Sequence, residues 1–429
     1  MSTKRNSLLA VVALLCVGTG PRPALATEGD EQAGYDPIQK ALAGSDIAQP
    51  ENPMTLSQNP AGLTSIPREI TLGVDAFMPF RGYSTTGPGF LAPGPVSGTV
   101  NSNGNIFLLP DIAYAQPIDK DTTWGVAVYG SGGDNTGYPA VGNPSCAALG
   151  GGSGVFCGGK AGIDLKQVFI VPGIAHRFGD FSVGFSPVIA GQAFQAEGLG
   201  AFAGVSADPR RLTNQGASYS YGVGARLGLQ WNATSALRFS ASGTTPVIMS
   251  KFAAYSGLFV GGGSFNLPAD VTIGAAYDVT PTLTAMMDYK HIFYSGVPAI
   301  SNSTTSPTLF GSSNGPGFGW SDVNAIALGL EWRATKELTL RAGYAHNNNP
   351  VPSGGVTLNV LAPAVVTNHI TGGASYAFNA NSSVDFSAQY VPTGSVTGIE
   401  VTPQGPNPFR TITLNMHQLD LAVAYTYRW

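Results

Sequence analysis

The chain has 429 residues and a formal net charge of −4, from 21 basic and 25 acidic side chains. Charged residues make up only 11% of it, against roughly a quarter in an ordinary soluble protein, so a charged surface is not what keeps it dispersed. No basic cluster is dense enough to argue for nucleic acid, and past residue 26 no run of 18 apolar residues offers a helical membrane span.

The chain opens MSTKRNSLLAVVALLCVGTGPRPALA. Lys4 and Arg5 form a basic start, residues 8–18 an apolar stretch, and Ala24-Leu25-Ala26 a small-residue cleavage site. This is the pattern of a secretory signal peptide. Cys16 follows Leu15, where lipoprotein processing requires a small residue. Cleavage after Ala26 leaves 18 basic against 25 acidic residues, a net charge near −7. Residues 27–69 lack strand alternation and hold one short helix-compatible stretch, a proline cluster and turn signals.

From residue 70 onward, apolar alternation bounded by turn residues predicts fourteen strands. They lie near 70–78, 106–116, 122–130, 165–178, 181–195, 219–231, 236–246, 268–278, 283–293, 323–334, 338–346, 367–378, 384–391 and 417–429. Six connections are short, around 119–121, 179–180, 232–235, 280–282, 335–337 and 379–383, and they alternate with seven long ones. Outer-membrane barrels have short periplasmic turns and long extracellular loops. In the last strand Leu419, Leu421, Val423, Tyr425, Tyr427 and Trp429 share one face, suited to lipid and an aromatic girdle. Asp420, Ala422, Ala424, Thr426 and Arg428 share the other, suited to a lumen. The expected fold is all-β: a 14-stranded antiparallel transmembrane β-barrel over 70–429, with 27–69 as a small N-terminal plug. Cys146 and Cys157 sit close together in a glycine-rich loop of an exported chain, which points to a local disulfide. So short a loop limits its stabilisation to about 3 kcal/mol.

The stretch LSQNPAGL, preceded by QKALAGSDIAQPEN, resembles the N-terminal hatch of FadL-type long-chain fatty acid transporters. DIAYAQPIDKDTTWGVAVYGSGG, FNLPADVTIGAAYDVTPTLTAMMDYKHIFYS, WSDVNAIALGLEWRATKELTLRAGYAHNNNPVP and SYAFNANSSVDFSAQY are similar to later parts of that family, in the same order. The resemblance implies a 14-strand barrel in the bacterial outer membrane and a hatch closing its lumen. It implies passive uptake of hydrophobic molecules, long-chain fatty acids first and monoaromatic hydrocarbons next. Ligand would bind among the extracellular loops, pass a pocket near the hatch, and leave sideways beside an inwardly kinked third strand. A monomer without cofactor or metal is implied, in contact with membrane lipid and lipopolysaccharide. The terminal aromatic Trp429 resembles the signal read by outer-membrane assembly machinery. A general porin for hydrophilic solutes is the rival from another class; residues 27–69 and the sparse charge of the strands argue against it.

Several residues are candidates for the transport path. Asn59, Pro60 and Ala61 read as a hatch turn with a gating role, or as an ordinary Asn-Pro turn. Gly125 and Gly130 are candidates for a kink in the third strand, since glycine tolerates a broken ladder. Phe202 in LGAFAGVSA, with Phe252, Tyr255, Leu258 and Phe259 in FAAYSGLFVGGG, would line an outer groove or else pack loops and wall. Arg210 and Arg211 would attract a fatty-acid carboxylate, or pair with neighbouring acids or lipopolysaccharide phosphates. Lys290, His291 and Arg341 are expected in the lumen. Catalysis finds little support. Residues 311–315, GSSNG, fit G-x-S-x-G without the strand–turn–helix setting it requires. The five histidines show no H-E-x-x-H spacing.

Overall fold

The computed structural model describes residues 28–87, 99–149, 152–402 and 405–429; the expected signal peptide, with Cys16 and the expected cleavage site, lies outside them. Fourteen strands form the wall. The first seven are β1 (Glu69–Thr86), β2 (Phe107–Pro117), β3 (Thr122–Tyr138), β4 (Ala161–Phe178), β5 (Phe181–Glu197), β6 (Ser218–Asn232) and β7 (Leu237–Thr244). The others are β8 (Asp270–Thr280), β9 (Leu283–Ile292), β10 (Val323–Arg333), β11 (Leu338–Asn347), β12 (Asn368–Asn379), β13 (Ser382–Thr402) and β14 (Gly405–Arg428). Each pairs antiparallel with the next, and β14 returns along β1 from Glu69↔Arg428 to Thr86↔Thr411. The sheet therefore closes and leaves no edge, as a lipid environment demands.

The fourteen strands and six short turns lie where alternation and turn residues placed them. The last long connection, expected over 392–416, is instead ladder: β13 runs to Thr402 and β14 starts at Gly405. Register shifts between Val391 and Gly394, and between Ile399 and Glu400, absorb residues that break the alternation. β1 and β3 likewise outrun their expected ends, reaching Thr86 and Tyr138.

Outward positions are apolar because they meet lipid. Leu421, Val423, Tyr425, Tyr427 and Trp429 are exposed, while Asp420, Ala422, Ala424 and Thr426 are buried on the inner face. Exposed Trp124, Phe178, Phe181, Trp231, Trp332, Tyr376 and Phe378 cluster at the short-turn end, forming the aromatic girdle of a membrane interface. Trp429 completes it: its N–H donates to the Arg68 carbonyl, and the Arg68 guanidinium lies 4.7 Å from its ring centre.

At the long-loop end, apolar loop residues form a core of their own around Phe194, Phe252, Tyr255, Phe259, Trp320 and Val365. Cys146 and Cys157 are bonded in the β3–β4 connection.

Residues 28–66 pack against inward-facing wall residues and are mostly buried. They form three short helical turns, each begun by a proline after an Asp or Asn cap. Proline suits a first helical position and the cap satisfies an otherwise unpaired N–H. Asp36 accepts from the Gln39 N–H, Asn52 from Met54 and Asn59 from Ala61.

Candidate functional site

Among the extracellular loops lies a cavity of about 410 Å³. Its apolar lining includes Phe202, Val205, Leu309, Phe310, Leu358 and Val401, with Thr304, Thr305, Ser306, Thr308 and Thr357 interspersed. Phe202 stands edge-on to Phe310 at 5.3 Å. The hydroxyls are already engaged. Ser306 and Thr308 donate to the Asn314 carbonyl, Thr304 donates to Gly354, Thr305 pairs with Ser303, and Thr357 accepts from the Val401 N–H. No lysine or arginine among the described residues lines this cavity.

Phe202 is thus on the cavity, whereas Phe252, Tyr255, Leu258 and Phe259 are buried in the loop core. Phe252, Tyr255 and Phe259 surround Phe194 at 4.8 to 5.5 Å. Arg210 and Arg211 are exposed away from the cavity lining. Arg211 donates to the Ala253 carbonyl and lies 3.9 Å from Asp208.

The inner face of the wall holds the N-terminal segment by charge on one side. Lys40 pairs with Asp75 of β1 at 2.7 Å and approaches Asp420 of β14 at 3.9 Å. Lys290 of β9 pairs with Glu28 and Glu31 at 3.0 and 2.5 Å. Arg341 of β11 bridges Glu51 of the segment and Glu331 of β10. Burial raises several carboxyls of the segment, Asp46 to about 8, Asp36 to about 6 and Glu31 to about 7.

The opposite arc carries an apolar cluster among polar inner-face residues such as Asp111, Gln167 and Ser182. Ala113, Ala115, Ala127, Tyr129, Val171, Ala175, Val188 and Ala190 of β2–β5 form one cluster with Met54, Leu56, Leu63 and Ile66 of the segment. Asn59, Pro60 and Ala61 lie against this arc and β6. The Asn59 amide donates to the Leu229 carbonyl at 3.2 Å and to Ile47 at 3.4 Å. A Cβ at Gly228 would strike the Asn59 Oδ1 atom, and one at Gly184 would strike the backbone of Pro60 and Ala61. Those two wall glycines are what let the turn approach so closely.

Gly125 sits in continuous ladders opposite Ala115 and Gly173, with Leu56 and Leu63 packed over it. Gly130 pairs with Val168 in an unbroken stretch on its β4 side, but its ladder to β2 ends one residue earlier, at Asp111↔Tyr129. On the β4 side a register shift comes later, between Gly132 and Asn135. A second lapse lies between β4 and β5. Pairing stops over 171–173 and 186–188, where the register sets Pro172 opposite Pro187 and neither has an N–H to donate. Of the three expected luminal polar residues, Lys290 and Arg341 face inward. His291 does not: successive strand residues alternate faces, and its Nδ1 hydrogen-bonds Asn324 at 2.8 Å. Sequence reasoning missed the partners Lys40, Glu51, Glu28 and Glu31, which sit in a segment with no strand pattern to orient them.

Residues 30–428 match the sequence model of a family described as outer membrane protein transport protein (OMPP1/FadL/TodX). The chain belongs to this family. It is an outer-membrane β-barrel of the group that transports hydrophobic compounds. Its fold is similar to that of the Pseudomonas putida toluene transporter TodX, at 16% identity and a TM-score of 0.66, covering 93% of this chain and 99% of that one. The Ralstonia pickettii toluene transporter TbuX gives 17% identity and 0.63, with 92% and 99% covered. A Pseudomonas aeruginosa FadL homologue gives 15% and 0.62, with 94% and 99% covered. No curated protein matches the sequence significantly.

Proposed function

We propose that this FadL/TodX-family barrel carries neutral hydrophobic molecules of the monoaromatic-hydrocarbon class across the outer membrane by diffusion. The observation that carries the reading is the outer cavity of about 410 Å³, apolar and without a cation among its described lining residues. A carboxylate bound there would lose its water and gain no charged partner, which is costly. A hydrocarbon gains roughly 25 cal/mol for each Å² it hides from water. Arg210 and Arg211, the residues that would favour a fatty acid, do not line the cavity.

From the cavity the ligand moves to the apolar arc of the lumen, where residues 28–66 act as a hatch hinged on the Asn59-Pro60-Ala61 turn. It leaves sideways near Gly125 and Gly173, beside the Pro172/Pro187 lapse. Support for this exit comes from Leu56 and Leu63, which stopper the glycine window from inside.

The test is uptake of labelled toluene and labelled oleate by cells lacking their own transporter of this family, with and without this protein. Toluene uptake above the control, with oleate at control level, supports the reading. Oleate uptake that exceeds toluene uptake overturns it in favour of long-chain fatty acids.

A further inference from the structure

One aromatic ring of the N-terminal segment touches the apolar arc. Tyr35 lies 4.5 Å from Tyr129 of β3, tilted by 41°, and Tyr129 in turn stacks on Phe169 of β4 at 5.3 Å and 18°. Both spacings fall in the favourable range for ring pairs. The three rings differ in how they are held. Tyr129 and Phe169 are directly opposite across the β3–β4 ladder, so strand register fixes them as a rigid pair. Tyr35 belongs to a segment outside the ladder, and its N–H is bonded locally to the Gln39 side chain.

The three rings border a cavity of about 40 Å³, with Val188, Val247 and Leu267 beside them and polar groups that include Asp30, Glu31, Gln167, Arg226 and Asp270 on the rest of its wall. A cavity that holds benzene is roughly 150 Å³. This cavity admits no aromatic molecule while the Tyr35 ring is in place. Once Tyr35 leaves, the face it covered on Tyr129 is a flat aromatic platform.

We propose that Tyr35 is a removable stopper and that Tyr129 with Phe169 is a stacking platform selecting flat ligands over saturated ones of similar size. This inference rests on the transport reading above. Tyr35 imitates the ligand: a planar molecule replaces its tilted ring on Tyr129 and exchanges one aromatic pair for another, better stacked one. A saturated ring fills the same volume but cannot stack, so it displaces Tyr35 less readily.

The experiment measures uptake of toluene, methylcyclohexane and phenanthrene in the same transporter-deficient cells. Wild type, Tyr35→Ala, Tyr35→Phe and Tyr129→Leu are compared, each shown folded by its heat-modifiable gel mobility. Tyr129→Leu is expected to lower the toluene to methylcyclohexane uptake ratio severalfold. Tyr35→Ala is expected to raise the phenanthrene to toluene ratio roughly tenfold, the scale of discrimination a few apolar contacts confer, and Tyr35→Phe to keep the wild-type ratio. If wild type carries toluene and the ratios of Tyr35→Ala and Tyr129→Leu equal those of wild type, the platform is refuted and transport stands. If wild type carries none of the three above control, the transport reading falls, and the platform with it.

Discussion

Replacing Asn59 by alanine removes three hydrogen bonds from a fully buried side chain. The Oδ1 atom caps the Pro60–Ser65 turn through the Ala61 N–H at 3.0 Å, and the amide reaches the Leu229 and Ile47 carbonyls at 3.2 and 3.4 Å. A lost N-cap costs about 1 kcal/mol, and each of the two longer bonds contributes about 0.5–1 kcal/mol. Docking of the segment should therefore weaken by about 2–3 kcal/mol, a roughly 30- to 150-fold rise in the undocked population. The wall's own ladder is untouched, so the barrel's unfolding transition should not move. Hydrogen exchange of residues 53–65 reads the docking, and toluene uptake reads its consequence; both should rise. Asn59→Asp sharpens the test, since aspartate caps as well as asparagine but turns an acceptor toward two carbonyls. If capping alone mattered, Asn59→Asp would behave as wild type. Unchanged exchange in Asn59→Ala would refute the reasoning outright.

Docking should also respond to pH. Asp46 and Asp36 have docked values raised by burial to about 8 and 6, while in the released segment they return toward ordinary carboxyl values near 4. The docked state then holds protons that the released state gives up. The stability that these two groups add is full below about pH 4 and is lost as pH rises toward about 8; Glu51, held low by Arg341, contributes with the opposite sign, losing its share as pH falls. Protease cleavage of the segment should accelerate across that window, and Asp46→Asn should flatten its upper part. Arg341→Met strands Glu51 and Glu331, and breaking a buried pair in this way costs about 3–5 kcal/mol. Urea unfolding should shift accordingly and recover in part when Glu331→Gln is added. Reducing the Cys146–Cys157 bond should raise hydrogen exchange in 139–160 by up to about 3 kcal/mol of local stability, with the barrel transition unchanged.

The wall was legible because lipid imposes a two-residue period that few other settings impose so completely. Tyr425, Tyr427 and Trp429 announce both the face and the interface. The 392–416 hairpin escaped because Pro392, Gly394 and the shifts near Glu400 scramble that period outside the membrane, where nothing enforces it. Pairing Lys290 with His291 as luminal residues was avoidable, since neighbours on a strand face opposite ways. The interior was less accessible for a different reason. Arg341 and Glu51 meet across 290 residues, and Lys40 reads as an ordinary surface lysine on a short helix. Tyr35 and Tyr129 are each unremarkable until the segment folds back against β3.

The division of the lumen gives the proposed route its physical basis. Among the described residues, ion pairs from the N-terminal segment to the wall fall on β1, β9, β11 and β14. Such pairs are directional, and an apolar ligand offers nothing to replace them. Contacts on the β2–β5 side are different: Thr64 bonds Arg177 and Ser182 at their edge, without an ion pair to the segment among the described residues. Leu56 and Leu63 against Gly125 and Gly173 are held mainly by exclusion from water, which any apolar surface of similar shape can supply at about the same 25 cal/mol per Å². A hydrophobic molecule arriving on that side can take over those contacts with little net change in free energy. On the ionic side it would leave buried charges unpaired, at several kcal/mol each. The segment should therefore yield along β2–β5 while staying tethered along β9–β11. A disulfide between cysteines placed at 51 and 341, tethering the segment to β11 in place of the ion pair, should leave uptake working. A cross-link between residues 56 and 173 should abolish it.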